Sequence, residues 1–251
     1  MKDSTYKNNL ITLSSILLLV LGWALAAKRA GKEIILPSPL VTFKQLLSLL
    51  TSANFWQHLS ATLLRGLAGF GLSYLMGLMI GLFSGLNRHF KTFFQPWLTA
   101  IRSTPSMALI LLALIWFKSN AVTLFVTFLV VFPIVTQNVS EGLQQVDPRL
   151  KELARLYQVS TTRVLREMYL PAILPYLATG AAAGLGLTWK VMIAAEVLAN
   201  PPTGIGTQMD TARIFLQTAE VFAWTIVVIT ISLFFDRLLY SLLRRQLFYW
   251  E

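Results

Sequence analysis

The chain has 251 residues, of which 55% are hydrophobic and 13% charged, and its mean hydropathy is +0.63. A soluble domain carries about 25% charged residues, so this chain has too few charges to cover a water-facing surface. The net charge of +10 does not indicate a nucleic-acid-binding protein, because the Lys and Arg residues lie in short segments between long apolar runs. Cysteine is absent, so the sequence offers neither a disulfide framework nor a thiolate metal site.

Six apolar stretches are long enough to cross the hydrocarbon core of a membrane, which takes about 20 residues of helix. They are residues 10–27, 61–86, 97–117, 121–140, 172–198 and 221–243. We therefore predict an all-α, polytopic membrane protein with about six transmembrane helices in contact with membrane lipid. After the helix-excluding segment Leu36-Pro37-Ser38-Pro39, the spacing of apolar residues predicts an amphipathic helix over 40–50. That helix either lies at the outer interface or packs on the bundle.

The distribution of Lys and Arg predicts that the N- and C-termini are both cytoplasmic. In that orientation the largest group of cytoplasmic cations lies between the fourth and fifth stretches, at Arg149, Lys151, Arg155, Arg163 and Arg166. The first stretch has a second interpretation as a signal peptide, because Ala24-Leu25-Ala26 resembles a small-residue cleavage site. Its apolar run exceeds the usual limit of about 15 residues for a signal peptide, which favours a retained span.

Two strips of small residues, one in the second stretch and one in the fifth, predict close contacts between helices. The first consists of Gly69, Ser73, Gly77, Gly81 and Gly85, and the second of Gly180, Gly184 and Thr188. On a helix, a small residue at every fourth position leaves a smooth surface that a neighbouring backbone can approach. The neighbour belongs either to the same chain or to a second copy in a dimer.

The polar segment 141–171 is predicted to form two short helices joined by a turn on the cytoplasmic side. Asp147-Pro148 supplies an N-cap acceptor followed by proline at the first helical position, and the first helix extends over 149–157. Ser160 can cap the second helix, and the chain enters the fifth stretch at Leu170-Pro171. The segment is too polar to lie in lipid, and its helix caps indicate ordered helices. We therefore expect another protein to bind it.

This segment resembles the EAA loop of binding-protein-dependent ABC importer permeases. The pattern begins at Glu152-Leu153-Ala154, turns at Gln158 and ends at Met168-Tyr169-Leu170-Pro171, with the spacing of that family throughout. Leu153 replaces an alanine of the family pattern, and Gln158 replaces its glycine. Other parts of the chain resemble the nitrate, sulfonate and taurine type of permease, namely residues 36–39, His58, Thr62, Leu63, Arg65, Gly69, Phe70, residues 102–105 and residues 189–196.

The resemblance implies that residues 1–251 form one ABC importer transmembrane domain, which works by alternating access in the bacterial plasma (inner) membrane. The implied partners are a cytoplasmic ABC ATPase dimer, an extracytoplasmic substrate-binding protein and a second copy of the chain. ATP and Mg would bind to the ATPase and no cofactor to this chain, which lacks a Gly-x-x-x-x-Gly-Lys-Ser/Thr loop. The implied ATPase-coupling residues are Glu152, Leu153, Ala154, Arg155, Gln158, Leu170 and Pro171.

Three charged residues are candidates for lining a translocation path: Lys190, Glu196 and Arg102. A lysine at the centre of a span costs about 2.5–3.5 kcal/mol in lipid, so Lys190 should face protein or water, where it would attract an anion. Lys190 and Glu196 do not share a helix face, so each should meet another helix. The alternative is that both are buried for structural reasons. The resemblance implies a small anion such as nitrate, a sulfonate or taurine as substrate, or else a small heteroaromatic nutrient.

Two other classes of function are compatible with six spans, an ion-coupled secondary transporter and a non-transporting membrane scaffold. A secondary transporter calls for paired intramembrane carboxylates and helix breaks in matched halves. Pro105 and Pro133 do interrupt the spans, but intramembrane carboxylates are scarce. A scaffold needs no passage between the spans. An intramembrane enzyme is excluded, because the sequence brings no nucleophile, base and orienting group together.

Overall fold

A computed structural model describes residues 2–247 of the chain and the side chains of residues 10–241. This part of the chain is helical without a strand, which confirms the predicted all-α fold. The helices are α1 (Lys2–Ala30), α2 (Pro39–Leu50), α3 (Ala53–Leu86), α4 (Arg88–Ser103), α5 (Ser106–Trp116), α6 (Ser119–Gln144), α7 (Pro148–Leu156), α8 (Thr161–Val164), α9 (Leu170–Ala199), α10 (Ile205–Ile214) and α11 (Thr218–Leu247). A π-helical turn, Leu165–Tyr169, joins α8 to α9.

Within residues 2–247, five helical segments are each long and apolar enough to cross a membrane. They are Leu10–Ala30, Ala53–Leu86, Ser119–Gln144, Thr161–Ala199 and Thr218–Ser241. Each contains one predicted span, or nearly all of it, and is longer than the apolar stretch itself. α3, for example, begins eight positions before residue 61, because the hydroxyl of Ser52 caps it by accepting a hydrogen bond from Phe55 N at 3.2 Å.

The predicted third span, residues 97–117, is wrong as a single helix. It consists of the end of α4 and the whole of α5, and the two helices are bent by 99°. The break lies at Thr104-Pro105. Proline lacks a backbone N–H and disfavours the helical conformation of the residue before it. Thr104 accordingly has an extended backbone, with φ −76° and ψ 126°.

The packing of α3 on α6 shows in which direction α4 and α5 cross the membrane. Three glycines of α3 face three residues of α6, and in every pair the α6 residue lies 58 positions later in the chain. The pairs are Gly77 with Val135, Gly81 with Val139 and Gly85 with Leu143. A constant offset means that the two helices run parallel. The chain between them must therefore cross the membrane once in the opposite direction, and α4 with α5 makes that crossing.

Contacts along α6 trace the return crossing. Lys91 donates a hydrogen bond to Gln144 at the C-terminal end of α6, and Arg102 donates one to Gln137, two turns closer to the N-terminus. Ile110 of α5 then packs in the cluster that contains Val122, near the start of α6. The bent pair thus completes six crossings, the predicted number. An even number places both ends of the described chain on one side, and the cytoplasmic assignment of that side stays a prediction.

α6 is the central helix of the bundle. Five of its valines have no exposed surface: Val122, Val126, Val131, Val135 and Val139. α9 packs antiparallel to α6, since Gly180 lies against Asn138 and the later Gly184 against the earlier Val131. α3, α5 and α9 therefore share α6 as a common support.

Both predicted small-residue strips lie on these contacts within one chain. A Cβ atom at Gly77, Gly81 or Gly85 would come within 2.7, 2.6 or 2.5 Å of a side chain of α6. Real Cβ atoms do not approach so closely, so α3 reaches this separation only because these residues have no side chain. At Gly180 and Gly184 the corresponding distances are 3.1 and 3.0 Å, so α9 packs slightly less tightly.

α1 and α2 lie at the edge of the bundle. α1 is largely exposed and is held by Trp23, whose Nε1 donates to the carbonyl of Pro37 at 3.0 Å and whose ring stacks on Phe222. α2 covers the predicted residues 40–50 and packs on α11, as in the packed alternative. Its remaining apolar side chains face outward: Leu40, Phe43, Leu47 and Leu50.

We expect Gly81→Ala to lower the stability of the protein by about 1–3 kcal/mol, because the new methyl group would overlap Val139 and the carbonyl oxygen of Thr136. The matched control is Gly71→Ala on the same helix, where nothing lies within 4 Å of the new Cβ atom. The measurement is the midpoint of thermal aggregation in detergent. Equal midpoints for the two variants would show that α3 and α6 are not in this contact.

Candidate functional site

The bundle has two ends with different polar features. The α7 end is the one at which α3 and α6 terminate and α7 and α8 follow, and the α10 end is the opposite one, at which α9 terminates and α10 begins. The α7 end carries the exposed helix α7 and a polar groove between α4 and α6. The α10 end carries a buried ionic network.

α7 begins as the sequence predicts. A side-chain oxygen of Asp147 accepts a hydrogen bond from Arg149 N at 2.8 Å, and Pro148 occupies the first helical position. The cap satisfies one of the free amides of the first turn, and proline has no amide there to satisfy. The start of this exposed helix is therefore fixed by local chemistry.

The end of α7 is fixed equally well by a Schellman motif. Val159 N donates to the carbonyl of Ala154 at 2.9 Å, and Gln158 N donates to that of Arg155 at 3.1 Å. Gln158 has φ +49°, in the left-handed region. This is the position at which the family pattern has glycine, and a residue with a Cβ atom costs about 1 kcal/mol there. The turn that the sequence predicts at Gln158 is present despite that cost.

The second helix of the segment differs from the prediction. α8 is only four residues long, Ser160 makes no side-chain capping bond, and α8 continues through the π-helical turn into α9 without a break. Pro171 explains the wider turn. Proline cannot donate the ordinary helical bond to Glu167, and its ring crowds the carbonyl of that residue. The helix is wider directly before it, where Leu170 N donates to the carbonyl of Leu165, five residues back.

α7 has an inner face toward α8 and an outer face away from it. Leu150 and Ala154 line a hollow of about 460 Å³ between α7 and α8, together with Val159. Leu153, Leu156 and Tyr157 point outward, and the last two are each 75% exposed. Glu152 and Arg155 are also exposed. Leu170 and Pro171 belong to the first turn of α9 and not to this outer face.

The groove between α4 and α6 contains Arg102. It is a cavity of about 1200 Å³ whose other polar walls come from the end of α3, from α4 and from the last two turns of α6. Arg102 donates to the side-chain oxygen of Gln137, and Gln137 Nε2 donates to Glu141 at 2.7 Å. The sequence predicted Arg102 as a path residue but gave no sign of the groove, which depends on the bend between α4 and α5.

Glu196 forms the centre of a buried network at the α10 end. Its carboxylate is fully buried and forms an ion pair with Arg65 of α3, whose Nη2 lies 2.6 Å from Oε1. Thr62 donates to both carboxylate oxygens at 2.9 Å, and Gly206 N donates to Oε2 at 2.8 Å. Arg65 also donates to Asn120 and to the carbonyl of Thr203. As predicted, Glu196 meets another helix and not Lys190.

The same network caps the start of α10. Three successive amides are each bound by a side chain, Gly204 N by His58 Nδ1 at 3.0 Å, Ile205 N by Thr62 at 2.8 Å and Gly206 N by Glu196. Sequence reasoning missed this role of His58, Thr62 and Arg65. The available signal was their helical spacing, since three polar residues at four- and three-residue intervals on an apolar span lie on one face.

Lys190 lies outside both features. It is exposed on α9, and among residues 10–241 no hydrogen bond or ion pair joins it to another side chain. The expectation that Lys190 meets another helix is therefore not met within this chain. Asp236 of α11, which sequence reasoning missed, lies beside Gly186, one turn of α9 before Lys190, and is also exposed. Two opposite charges thus lie on one side of the membrane-spanning bundle.

The fold is that of the membrane-spanning component of an ABC transporter. One solved structure, an amino acid ABC transporter with histidines, matches with a TM-score of 0.57 at 20% identity, over 73% of this chain and 90% of that chain. The inward-facing MetNI methionine ABC transporter also matches with a TM-score of 0.57, at 17% identity, over 78% of this chain and 97% of that chain. At these identities the likeness concerns the fold alone.

The chain belongs to the family of binding-protein-dependent transport system inner membrane components, whose pattern matches residues 74–247. It is 31% identical over 222 residues to the putative aliphatic sulfonates transport permease protein SsuC of Bacillus subtilis, covering 86% of this chain and 78% of the relative. It is 30% identical over 234 residues to the taurine transport system permease protein TauC of Escherichia coli, covering 91% and 85%.

A third relative is the bicarbonate transport system permease protein CmpB of Synechococcus elongatus, which is 31% identical over 185 residues, or 73% of this chain and 66% of the relative. Together these relatives confirm the predicted permease type and its multi-pass location in the bacterial inner membrane.

We expect Glu196→Gln to destabilise the protein by about 3 kcal/mol, because Arg65 would keep a buried charge without its counter-ion. The matched control is Glu167→Gln, which breaks the ion pair with Arg163, exposed on both sides, and should cost about 0–1 kcal/mol. Thermal aggregation of the purified protein in detergent measures both. If Glu196→Gln lowers the temperature of aggregation no more than the control does, the buried ion pair is contradicted.

Proposed function

We propose that this permease is driven by a separate cytoplasmic ATPase that binds the outer face of α7. Leu153, Leu156 and Tyr157 form an exposed apolar surface, and Glu152 and Arg155 place opposite charges on the same short helix. Exposed apolar surface rimmed by charge is characteristic of a protein interface. The caps at both ends hold α7 in one conformation, so docking costs little ordering entropy.

The connection from α7 to the membrane supports a coupling role. α8, the π-helical turn and α9 form one helical run from Thr161 to Ala199, and α9 packs on α6 and α3. A displacement of α7 is therefore passed through the hydrogen-bonded turn at 157–160 to this helix, and the helix passes it to the bundle. In the proposed cycle, ATP closes the ATPase dimer, the two α7 helices move with it, and the spans change from inward-open to outward-open.

A second copy of the chain would complete the path. Lys190 and Asp236 are exposed on the membrane-spanning bundle, and charged side chains at this depth are covered by protein or water. We place a second copy against this face of α9 and α11, with Lys190 beside the passage between the two copies. A binding protein outside the cell would deliver the substrate.

The substrate that we propose is a small anion. The relatives are described as permeases for aliphatic sulfonates, taurine and bicarbonate, all of which carry an anionic group. A small heteroaromatic nutrient is the second candidate. The rival classes, a secondary transporter and a scaffold, differ in a simple way: the first would transport without the ATPase, and the second would not transport at all.

We expect Glu152→Arg to abolish co-purification of the ATPase from native membranes and to stop uptake, because it reverses an exposed charge at the rim of the docking face. The matched control is Glu33→Arg, an exposed charge reversal at the α10 end, which should retain the ATPase. Affinity purification in mild detergent provides the measurement. Retention of the ATPase by Glu152→Arg would remove α7 from the interface, and uptake by wild-type protein without ATPase would favour the secondary transporter.

We expect Gln158→Gly to leave transport unchanged and to stabilise the complex slightly, by up to about 1 kcal/mol, because glycine adopts the left-handed conformation of this turn without strain. Gln158→Val is the informative partner variant, since a β-branched residue resists a positive φ and should weaken ATPase binding. Co-purification and uptake are measured for both. A large loss of transport in Gln158→Gly would instead show that the glutamine side chain makes a specific contact.

A further inference from the structure

We propose that the α4–α6 groove binds the oxyanion group of the transported substrate on its way to the α7 end, with Arg102 and Lys91 as the anion-binding residues. The groove is the cavity of about 1200 Å³ lined by residues 84–103 and 136–144. This inference rests on the proposed function, since it assigns a site to the small anion proposed there. The sulfonate of taurine and the carbonate oxygens of bicarbonate share the chemistry that such a site recognises.

The charges of the groove are not balanced. Its walls contain three cations, Arg88, Lys91 and Arg102, and one carboxylate, Glu141. Among the side chains of residues 10–241, two of these cations have only neutral amides as hydrogen-bond partners: Arg102 is bound to Gln137, and Lys91 to Gln144 at 2.9 Å. Glu141 accepts from Gln137 and forms no ion pair within the described part of the chain. The groove therefore keeps a net charge of +2, which favours an anion.

The two amide-bound cations lie at different depths. Gln144 is the last residue of α6, and Gln137 lies seven residues earlier, so Arg102 is about 10 Å further into the bundle than Lys91. The groove thus offers an anion two cations at successive depths, with Glu141 between their levels on α6. The inner wall also holds Ser84, which is buried and whose hydroxyl has no hydrogen-bond partner among the described residues. That hydroxyl is available to a ligand.

The groove cannot face lipid. Its walls add the polar side chains of Thr92, Gln95, Thr99, Ser103, Thr136 and Ser140 to the charges named above. The charged side chains in these walls would be costly against hydrocarbon, so water or another polar ligand fills the groove. The outer face of α4 is apolar and aromatic instead, with Phe93 and Trp97 exposed. α4 thus separates a polar groove from lipid.

The absence of native cysteine allows a direct test of the groove in the intact complex. A single Thr99→Cys substitution places a thiol in the groove, and Thr51→Cys at the end of α2 places one on an exposed surface at the α10 end. Each is introduced into the permease–ATPase complex in phosphatidylcholine nanodiscs without nucleotide. The rates of modification by an anionic and a cationic methanethiosulfonate are then compared.

We expect the ratio of anionic to cationic rates to be about tenfold higher at Thr99→Cys than at Thr51→Cys, because the positive groove concentrates the anionic reagent. Adding Arg102→Gln and Lys91→Gln together should remove this difference. Adding Lys44→Gln, a charge on the exposed surface of α2, should leave it unchanged. Taurine or bicarbonate should slow the anionic reaction at Thr99→Cys and lose this effect in the Arg102→Gln, Lys91→Gln background. Equal ratios at the two thiols, or protection that survives the double substitution, would overturn the proposal.

Two further comparisons distinguish anion binding in the groove from the binding of lipid headgroups and from the proposed coupling role of α7. If taurine and bicarbonate do not protect, and only added phosphatidylglycerol slows the reaction, the groove binds lipid headgroups and the proposal is wrong. Co-purification of the ATPase is measured on the same preparations. A complex that retains its ATPase but shows no anion preference at Thr99→Cys would overturn the groove alone. An anion preference in a permease that never retains an ATPase would support the groove and contradict the coupling role of α7.

Discussion

The close parallel packing of α3 on α6 is the constraint from which the other features follow. Two neighbouring helices that run in the same direction require a return crossing between them, and glycine at three successive contacts leaves no space for that crossing at the interface itself. α4 and α5 therefore lie on another side of α6. Because Pro105 breaks this crossing, α4 leans away from the line of α5, and the space between α4 and α6 becomes the polar groove.

The two ends of the bundle differ in how firmly they are held. At the α10 end, Glu196 and Arg65 join α3, α9 and α10 through a buried ion pair and a series of capped amides. At the α7 end, the groove is open and α7 is exposed. Removing one member of a buried ion pair is costly, so the α10 contacts resist separation, whereas the open end can change with less penalty. This difference suits a protein that must move in response to a partner at one end.

The sequence predicted those features that depend on nearby residues. Span positions follow from apolar length, the start of α7 from Asp147-Pro148, and the turn at Gln158 from the resemblance to the EAA loop. Features that depend on distant residues were not predictable. The pairing of Arg65 with Glu196 spans 131 positions, and the groove needs the bend between α4 and α5 as well as the packing of α3 on α6. The π-helical turn was predictable only in part, because Pro171 indicates that the helix is disturbed nearby but not that the disturbance is a π-helical turn.

α9 connects the two ends, and its construction indicates where movement occurs. Its α10 end is fixed through Glu196, and its other end continues through the π-helical turn to α8 and α7. The hydrogen bonds of a π-helical turn span five residues and not four, and they are weaker than those of an α-helix. Pro175 removes another helical hydrogen bond about a turn and a half later. Bending therefore concentrates in the part of α9 between α8 and Gly180, the residue at which α9 contacts Asn138 of α6. If the ATPase pulls α7, this part of α9 changes angle first, beside the groove, while the Glu196 network remains intact as the fixed point of the motion.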